Sequence, residues 1–157
     1  MPYADLQRSL AGLLDGEPDL IANCANFSAL VYHNLPDLNW AGCYLLRADE
    51  LVLGPFQGQP ACVRIAMGRG VCGTAAARRA SVLVPDVHAF ADHIVCDPLS
   101  RSELVVPMLK DGALVGVFDL DSPLPDRFRP ADQAGMEAAV AMLMRASRID
   151  AAAMASS

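Results

Sequence analysis

The 157-residue sequence predicts a single α+β domain, a mostly antiparallel central sheet with helices packed on it. Three observations predict it. Segments with helical periodicity open and close the chain, short aromatic and aliphatic runs fill its middle, and two of those runs are joined by Asp111-Gly112, a strong tight-hairpin signal. Residues 1–150 are assigned to the domain and the Ala- and Ser-rich residues 151–157 to a frayed tail.

The elements follow in order. Asp5 to Leu14 and Asp19 to Leu35 carry apolar residues at helical spacing; in the second, Leu20, Cys24, Phe27, Val31 and Leu35 share one face. Gly16 and Pro18 break the two helices apart. Trp40 to Leu46, Glu50 to Phe56 and Ala61 to Ile65 read as three strands, separated by Arg47-Ala48-Asp49 and Gly58-Gln59-Pro60. A short Ala-rich helix follows from Gly73 to Ala80, its end marked by Arg78 and Arg79, and Ser81 to Val84 is a strand stopped by Pro85. Asp86 to Ser102 has no period and reads as a long loop, which in a small domain commonly carries function. Glu103 to Leu109 and Ala113 to Asp119 flank the Asp111-Gly112 turn, and Pro130 to Ser147 forms a long closing helix with proline as its first residue. That order suggests helices covering one face of the sheet.

Composition excludes several classes. The hydrophobic fraction is 54%, too high for a disordered chain, yet no apolar run approaches the ~18 residues of a membrane span. Net charge is −6 with 12 Lys plus Arg scattered along the chain, so no basic stripe is available for nucleic acid. Asp5, Gln7 and Arg8 interrupt the pattern of a secretory leader. The expected location is therefore the cytoplasm, where five cysteines read as reduced thiols.

Four constellations could carry chemistry. Gly68-Arg69-Gly70-Val71-Cys72-Gly73 has the spacing of a dinucleotide fingerprint, but no second parallel strand supplies the acidic residue ~20 positions on, so the glycines read as a tight strand-to-helix turn. Cys62, Cys72 and Cys96 with His88 and His93 offer zinc-type ligands, but structural zinc normally uses close cysteine pairs, and only His93 and Cys96 are close here. No metal is expected. Most free cysteines are small buried hydrophobes, which suits Cys24 and Cys43, whereas Cys96 lies in a polar, histidine-bearing loop, as reactive thiols do. Finally, the Asp111-Gly112 turn folds two strands back on each other, so Glu103 should meet Asp119 and Asp121 at one end. Strand-end acids are ordinarily solvated; the hairpin argues for a cluster.

Taken together, Asn39-Trp40-Ala41-Gly42, Leu53-Gly54-Pro55-Phe56-Gln57-Gly58, Ala61-Cys62-Val63-Arg64-Ile65, Gly68 to Thr74, Val84-Pro85-Asp86-Val87-His88, His93-Ile94-Val95-Cys96-Asp97, Ser102-Glu103 and Asp119-Leu120-Asp121-Ser122 resemble the free methionine-(R)-sulfoxide reductases, which are built on the GAF fold. The similarity spans most of the chain between Asn39 and Ser122. It implies that Cys96 is the catalytic cysteine and Cys62 the resolving one, with Cys72 a third family cysteine of secondary role. It further implies that Trp40, Tyr44, Glu103, Asp119 and Asp121 form the substrate pocket. Cys43 departs from the family, standing where an aromatic residue is expected beside Trp40.

The implied chemistry is coherent. A sulfoxide needs a thiolate at sulfur and an acid at oxygen, roles for Cys96 and a carboxylate, with Glu103 the choice for the acid. The Cys96 sulfenic acid would condense with Cys62 and be reset by thioredoxin, without metal or organic cofactor. Acidic side chains suit the ammonium of a free amino acid, and Trp40 can enclose its methyl end. The residues leave a homodimer open. Two other readings remain: a non-catalytic GAF ligand-binding sensor, which explains the fold but not the cysteines, and a thiol peroxidase, which also uses a resolving partner.

Overall fold

The computed structural model describes residues 2–92 and 97–150. Four helices, α1 (Tyr3–Leu14), α2 (Leu20–Asn34), α3 (Gly70–Arg78) and α4 (Pro130–Ala146), accompany six strands, β1 (Trp40–Arg47), β2 (Glu50–Gly58), β3 (Arg64–Ala66), β4 (Val82–Val84), β5 (Ser102–Lys110) and β6 (Ala113–Ser122). The strands form one sheet in the order β3-β2-β1-β6-β5-β4. Every pairing in it is antiparallel. Among the described residues no helix is long and apolar enough to cross a membrane.

The periodic segments bury the faces their spacing marks. On α2, Cys24, Phe27 and Val31 are buried, and the Phe27 ring lies 4.5 Å from that of Phe118 on β6. On α4, Met136, Ala139, Val140, Leu143 and Met144 face inward at a helical period. Proline opens α4 as expected, and the Asp132 carboxylate accepts from the Arg129 amide (2.8 Å) and the Tyr3 hydroxyl (2.7 Å), joining α1 to α4. The Asp111-Gly112 turn joins β5 to β6 with both residues at positive φ, 51° and 82°, the conformation a two-residue hairpin requires.

Three features differ from the sequence expectation. First, helices cover both faces. Leu104, Val106, Met108, Phe118 and Leu120 pack under α1, α2 and α4, while Val105 and Val117 pack with Val71, Ala75 and Ala76 of α3 on the other side. The near-continuous apolar run Leu104-Val105-Val106 carries this signal, since a strand with one wet face alternates and a doubly covered one does not. Second, Ala61 to Val63 precede β3 instead of belonging to it; that stretch lies against β2 through the Leu53 amide on the Val63 carbonyl (2.8 Å). Third, β6 runs on to Ser122, so Asp119 and Asp121 lie within the strand.

These shifts define one place in the fold. Residues of even number on β1, and of odd number on β5 and β6 beyond the irregularity at Met108/Leu109, face α3, and at the end of the sheet away from the hairpin those positions are Trp40, Glu103, Asp119 and Asp121. Glu103 stands directly opposite Asp121, and Asp121 opposite Trp40.

Candidate active site

A cavity opens between that end of the sheet and the start of α3, lined by Trp40, Tyr44, Cys72, Asp97, Ser100, Glu103, Asp119 and Asp121, with Pro60 and Ala61 at its edge. Its aromatic wall is rigid. Trp40 stacks on Phe56 (5.2 Å between centroids) and on Tyr44 (5.9 Å). Gly42 makes that stack fit: a Cβ there would lie 2.8 Å from both the Trp40 ring and the Phe56 Cα. The polar ends of the same rings hold the chain that leads to Cys62, the Trp40 Nε1 donating to the Gln59 carbonyl (3.1 Å) and the Tyr44 hydroxyl to the Cys62 carbonyl (2.7 Å). Both aromatics thus serve the cavity and the position of Cys62.

The acidic wall is buried. Glu103, Asp119 and Asp121 are 7%, 5% and 9% exposed, and among the described residues none of them makes an ion pair. Burial, then the two aspartates, push the Glu103 carboxyl well above the usual carboxylate range. Asp119 is also raised, by burial first and Asp121 second, while Asp121, raised mainly by burial and relieved by accepting hydrogen bonds from Glu103 and Asp119, reaches only about 6. Asp121 is therefore the first of the three to ionise. Glu103 and Asp119 hold their protons longer, as expected where like charges cannot all separate from their protons.

A stability consequence follows with a definite sign. Asp121 titrates near 3.9 in an unfolded chain and near 6 in the fold, so its contribution to stability is present below the unfolded value and lost as pH rises through about 6. Asp121→Asn, which keeps an acceptor but no charge, should raise the melting temperature of the ligand-free protein by a few degrees at pH 7.5. Near pH 4 the variant and the parent should melt together. A variant that melts lower than the parent at pH 7.5 would show that the charge stabilises the fold.

The cysteines separate by environment. Cys24 and Cys43 are fully buried and free. Cys43 faces the α1, α2 and α4 layer, with the Cys24 thiol and burial holding its own thiol protonated, so its departure from the family leaves the cavity untouched. Cys72, in the first turn of α3, is free and 5% exposed, its thiol pushed well up by burial first and then by Asp119, Glu103 and Asp121. It is a poor nucleophile at neutral pH. Cys62 is disulfide-bonded. Cys96 and His93 lie outside the described residues, and His88 is exposed on a short 3-10 turn.

Some contributors were given no role by the sequence. Asn39 donates through Nδ2 to Asp97 and Ser100, both at 3.0 Å, fixing those residues on the cavity rim. Arg69 grips Asp92 with two hydrogen bonds (2.8 and 3.1 Å), and the Gly70 amide donates to the same carboxylate (3.1 Å). Asp92 thereby occupies the start of α3, where a dinucleotide phosphate would sit; the strand-to-helix turn expected of these glycines is confined to Gly68 to Gly70, with Gly68 and Gly70 at positive φ, and the helix starts at Gly70 instead of Gly73. These partners meet across 22 to 61 residues of sequence, beyond the reach of any local pattern.

Known proteins resemble the chain over most of its length. Residues 13–146 match the GAF domain family. The chain is 52% identical over 141 residues to the free methionine-R-sulfoxide reductase of Escherichia coli, covering 90% of this chain and 86% of that one. It is 46% identical over 121 residues to the Saccharomyces cerevisiae protein of the same name, covering 72% and 67% of the two chains. The crystal structure of the Neisseria meningitidis free methionine-R-sulfoxide reductase in complex with its substrate superposes with a TM-score of 0.89 at 41% identity, over 92% of this chain and 87% of that one.

Proposed function

The chain belongs to the GAF family and, within it, to the free methionine-R-sulfoxide reductases, and from that membership we propose that it reduces free methionine-(R)-sulfoxide to methionine through the Cys96 thiol. The observation that carries the reading is the buried acidic wall, which makes no ion pair among the described residues, set against an aromatic wall. The ionised Asp121 favours a cation, and an α-ammonium group is a cation of the right size attached to a chain whose methyl end Trp40 can cover.

The residues then take distinct parts. Asp121, the first to ionise, with Asp119 beside it, holds the ammonium group. Glu103, which keeps its proton, donates to the sulfoxide oxygen while the Cys96 thiolate attacks sulfur. The S–O bond breaks with that oxygen retained on the cysteine, giving methionine and a Cys96 sulfenic acid. Cys62 attacks this sulfur, water leaves, and a Cys62–Cys96 disulfide forms; that Cys62 is disulfide-bonded supports giving it this part. Thioredoxin dithiol restores both thiols by exchange, which places the reaction in a reducing compartment, the cytoplasm. Cys72, held protonated, takes no part in electron transfer in this scheme.

The discriminating experiment compares free methionine-(R)-sulfoxide with the same residue acetylated at nitrogen and amidated at the carboxyl group. Loss of charge-assisted hydrogen bonds worth ~1.5–3 kcal/mol should lower kcat/KM for the blocked substrate by roughly 10- to 150-fold. Equal values for the two substrates would sink the assignment of the acidic wall to the ammonium group.

A further inference from the structure

Cys72, Glu103 and Asp119 come from three separate elements, α3, β5 and β6, yet one ligand atom from each lies within 4.8 Å of the other two. All three side chains are more than nine-tenths buried. Asp119 has a further, independent mark: its Oδ1, buried and facing this cavity, has no hydrogen-bond partner among the described residues. With ligand bonds of ~2.0 Å to oxygen and ~2.3 Å to sulfur, neighbouring donors on a tetrahedral zinc ion stand ~3.3–3.8 Å apart. Contraction of the trio by about 1 Å therefore closes a three-ligand site whose fourth position opens on the cavity. One thiolate with two carboxylates is a borderline-soft donor set. It selects zinc-class ions over magnesium or calcium, which take larger all-oxygen shells.

The geometry points to a regulatory metal site: Cys72, Glu103 and Asp119 bind one zinc-class divalent cation, which excludes the substrate by engaging Asp119, beside the ammonium position, and Glu103, beside the sulfoxide oxygen. The competition rests on the functional reading above; the coordination does not. Binding releases the Cys72 thiol proton together with those on the carboxylates, so the ion replaces positive charge already held there, and its affinity rises with pH. The close-pair rule for zinc does not detect such a site, because its ligands are 31, 16 and 47 residues apart in sequence. The ion is an inhibitor of turnover and not a resident cofactor.

Cobalt(II) added to the full-length, oxidised protein tests this. In that state the Cys62 disulfide removes the competing thiols, and Cys24 and Cys43 are sealed in the core. One equivalent should bind with a near-ultraviolet sulfur-to-cobalt charge-transfer band, and zinc should displace it. Methionine should raise the apparent cobalt dissociation constant in proportion to its concentration. Cys72→Ser should abolish the band and weaken zinc at least about tenfold, and Asp119→Asn should keep the band while weakening the ion. Absence of the band in the parent protein, or its persistence in Cys72→Ser, overturns the site. If cobalt binds with the band but methionine leaves its affinity unchanged, the exclusion of substrate is overturned. Quenching of Trp40, the single tryptophan, by methionine in metal-free protein tests the pocket separately.

Discussion

Cys96→Ser should lose sulfoxide reduction by roughly 10⁴-fold or more, the scale seen when a nucleophile acting in concert with its site is removed. The surroundings of three of the five cysteines oppose that role. Cys24 and Cys43 have no exposed surface, and Cys72 sits among buried carboxyl groups that oppose a thiolate. Cys62 is engaged in a disulfide and has its backbone held by Tyr44; the proposed scheme gives it the second step, and the variants separate it from Cys96. A serine hydroxyl at position 96 remains protonated near neutral pH and cannot displace oxygen from sulfur. Methionine release should be measured in a single turnover, without reductant, so that recycling does not limit the signal. Under those conditions Cys62→Ser should still release about one equivalent of methionine per site, because only resolution is blocked. Substantial release by Cys96→Ser would move the nucleophile to Cys62 or Cys72.

The same experiment bears on how much of this site is written in local sequence. The acidic wall was legible only in part: the Asp111-Gly112 turn brings the far ends of β5 and β6 together, but the register it sets at Lys110 and Ala113 would place Glu103 opposite Leu120, and only the irregularity at Met108/Leu109 shifts the pairing by one residue so that Glu103 stands opposite Asp121 and shares its face. The outer limits of α1, α2 and α4 were legible, since periodic apolar faces and a proline at the first turn are local signals. The side of the sheet that α3 would take was not. Its short apolar stretch Val71 to Ala76 is consistent with either face, and only the doubly buried strands Leu104–Val106 and Val117–Leu120 decide that both are covered. Consequently Cys72 appeared as one of three spaced cysteines, whereas in the fold it is a neighbour of Asp119 and Glu103. Ala61 to Ile65 shows a different limit: its apolar character reads as strand, but the stretch serves to carry Cys62 past the aromatic wall, with pairing to β2 confined to its end. Arg69 and Asp92 were invisible as a pair, because nothing in a charged residue announces a partner 23 positions away.

Glu103→Gln should depress the saturated single-turnover rate of methionine formation by about 10²- to 10⁴-fold, the usual contribution of a positioned general acid. Three carboxyl groups share the wall, and their order of ionisation separates their parts. Asp121 accepts hydrogen bonds from Glu103 and Asp119 and titrates near 6, so it is anionic when substrate arrives at neutral pH. Glu103 is held well above the usual carboxylate range, by burial and by both aspartates, and in the proposed scheme supplies the proton that a sulfoxide oxygen requires as the S–O bond weakens. Glutamine retains the shape and can still donate a hydrogen bond, but it cannot transfer a proton. The loss should therefore fall on the rate at saturation, with the half-saturation concentration little changed. An arriving ammonium group adds positive charge beside Asp121 and Asp119 and so lowers the Glu103 pKa toward neutrality, which improves it as an acid only once substrate is bound. The parent rate should accordingly fall as pH rises through the Glu103 pKa in the complex, and that limb should be missing in Glu103→Gln. If Glu103→Gln instead raises only the half-saturation concentration and keeps the alkaline limb, Glu103 binds the ammonium group and the proton comes from Asp119, the other carboxyl group that burial and a charged neighbour hold above its ordinary range.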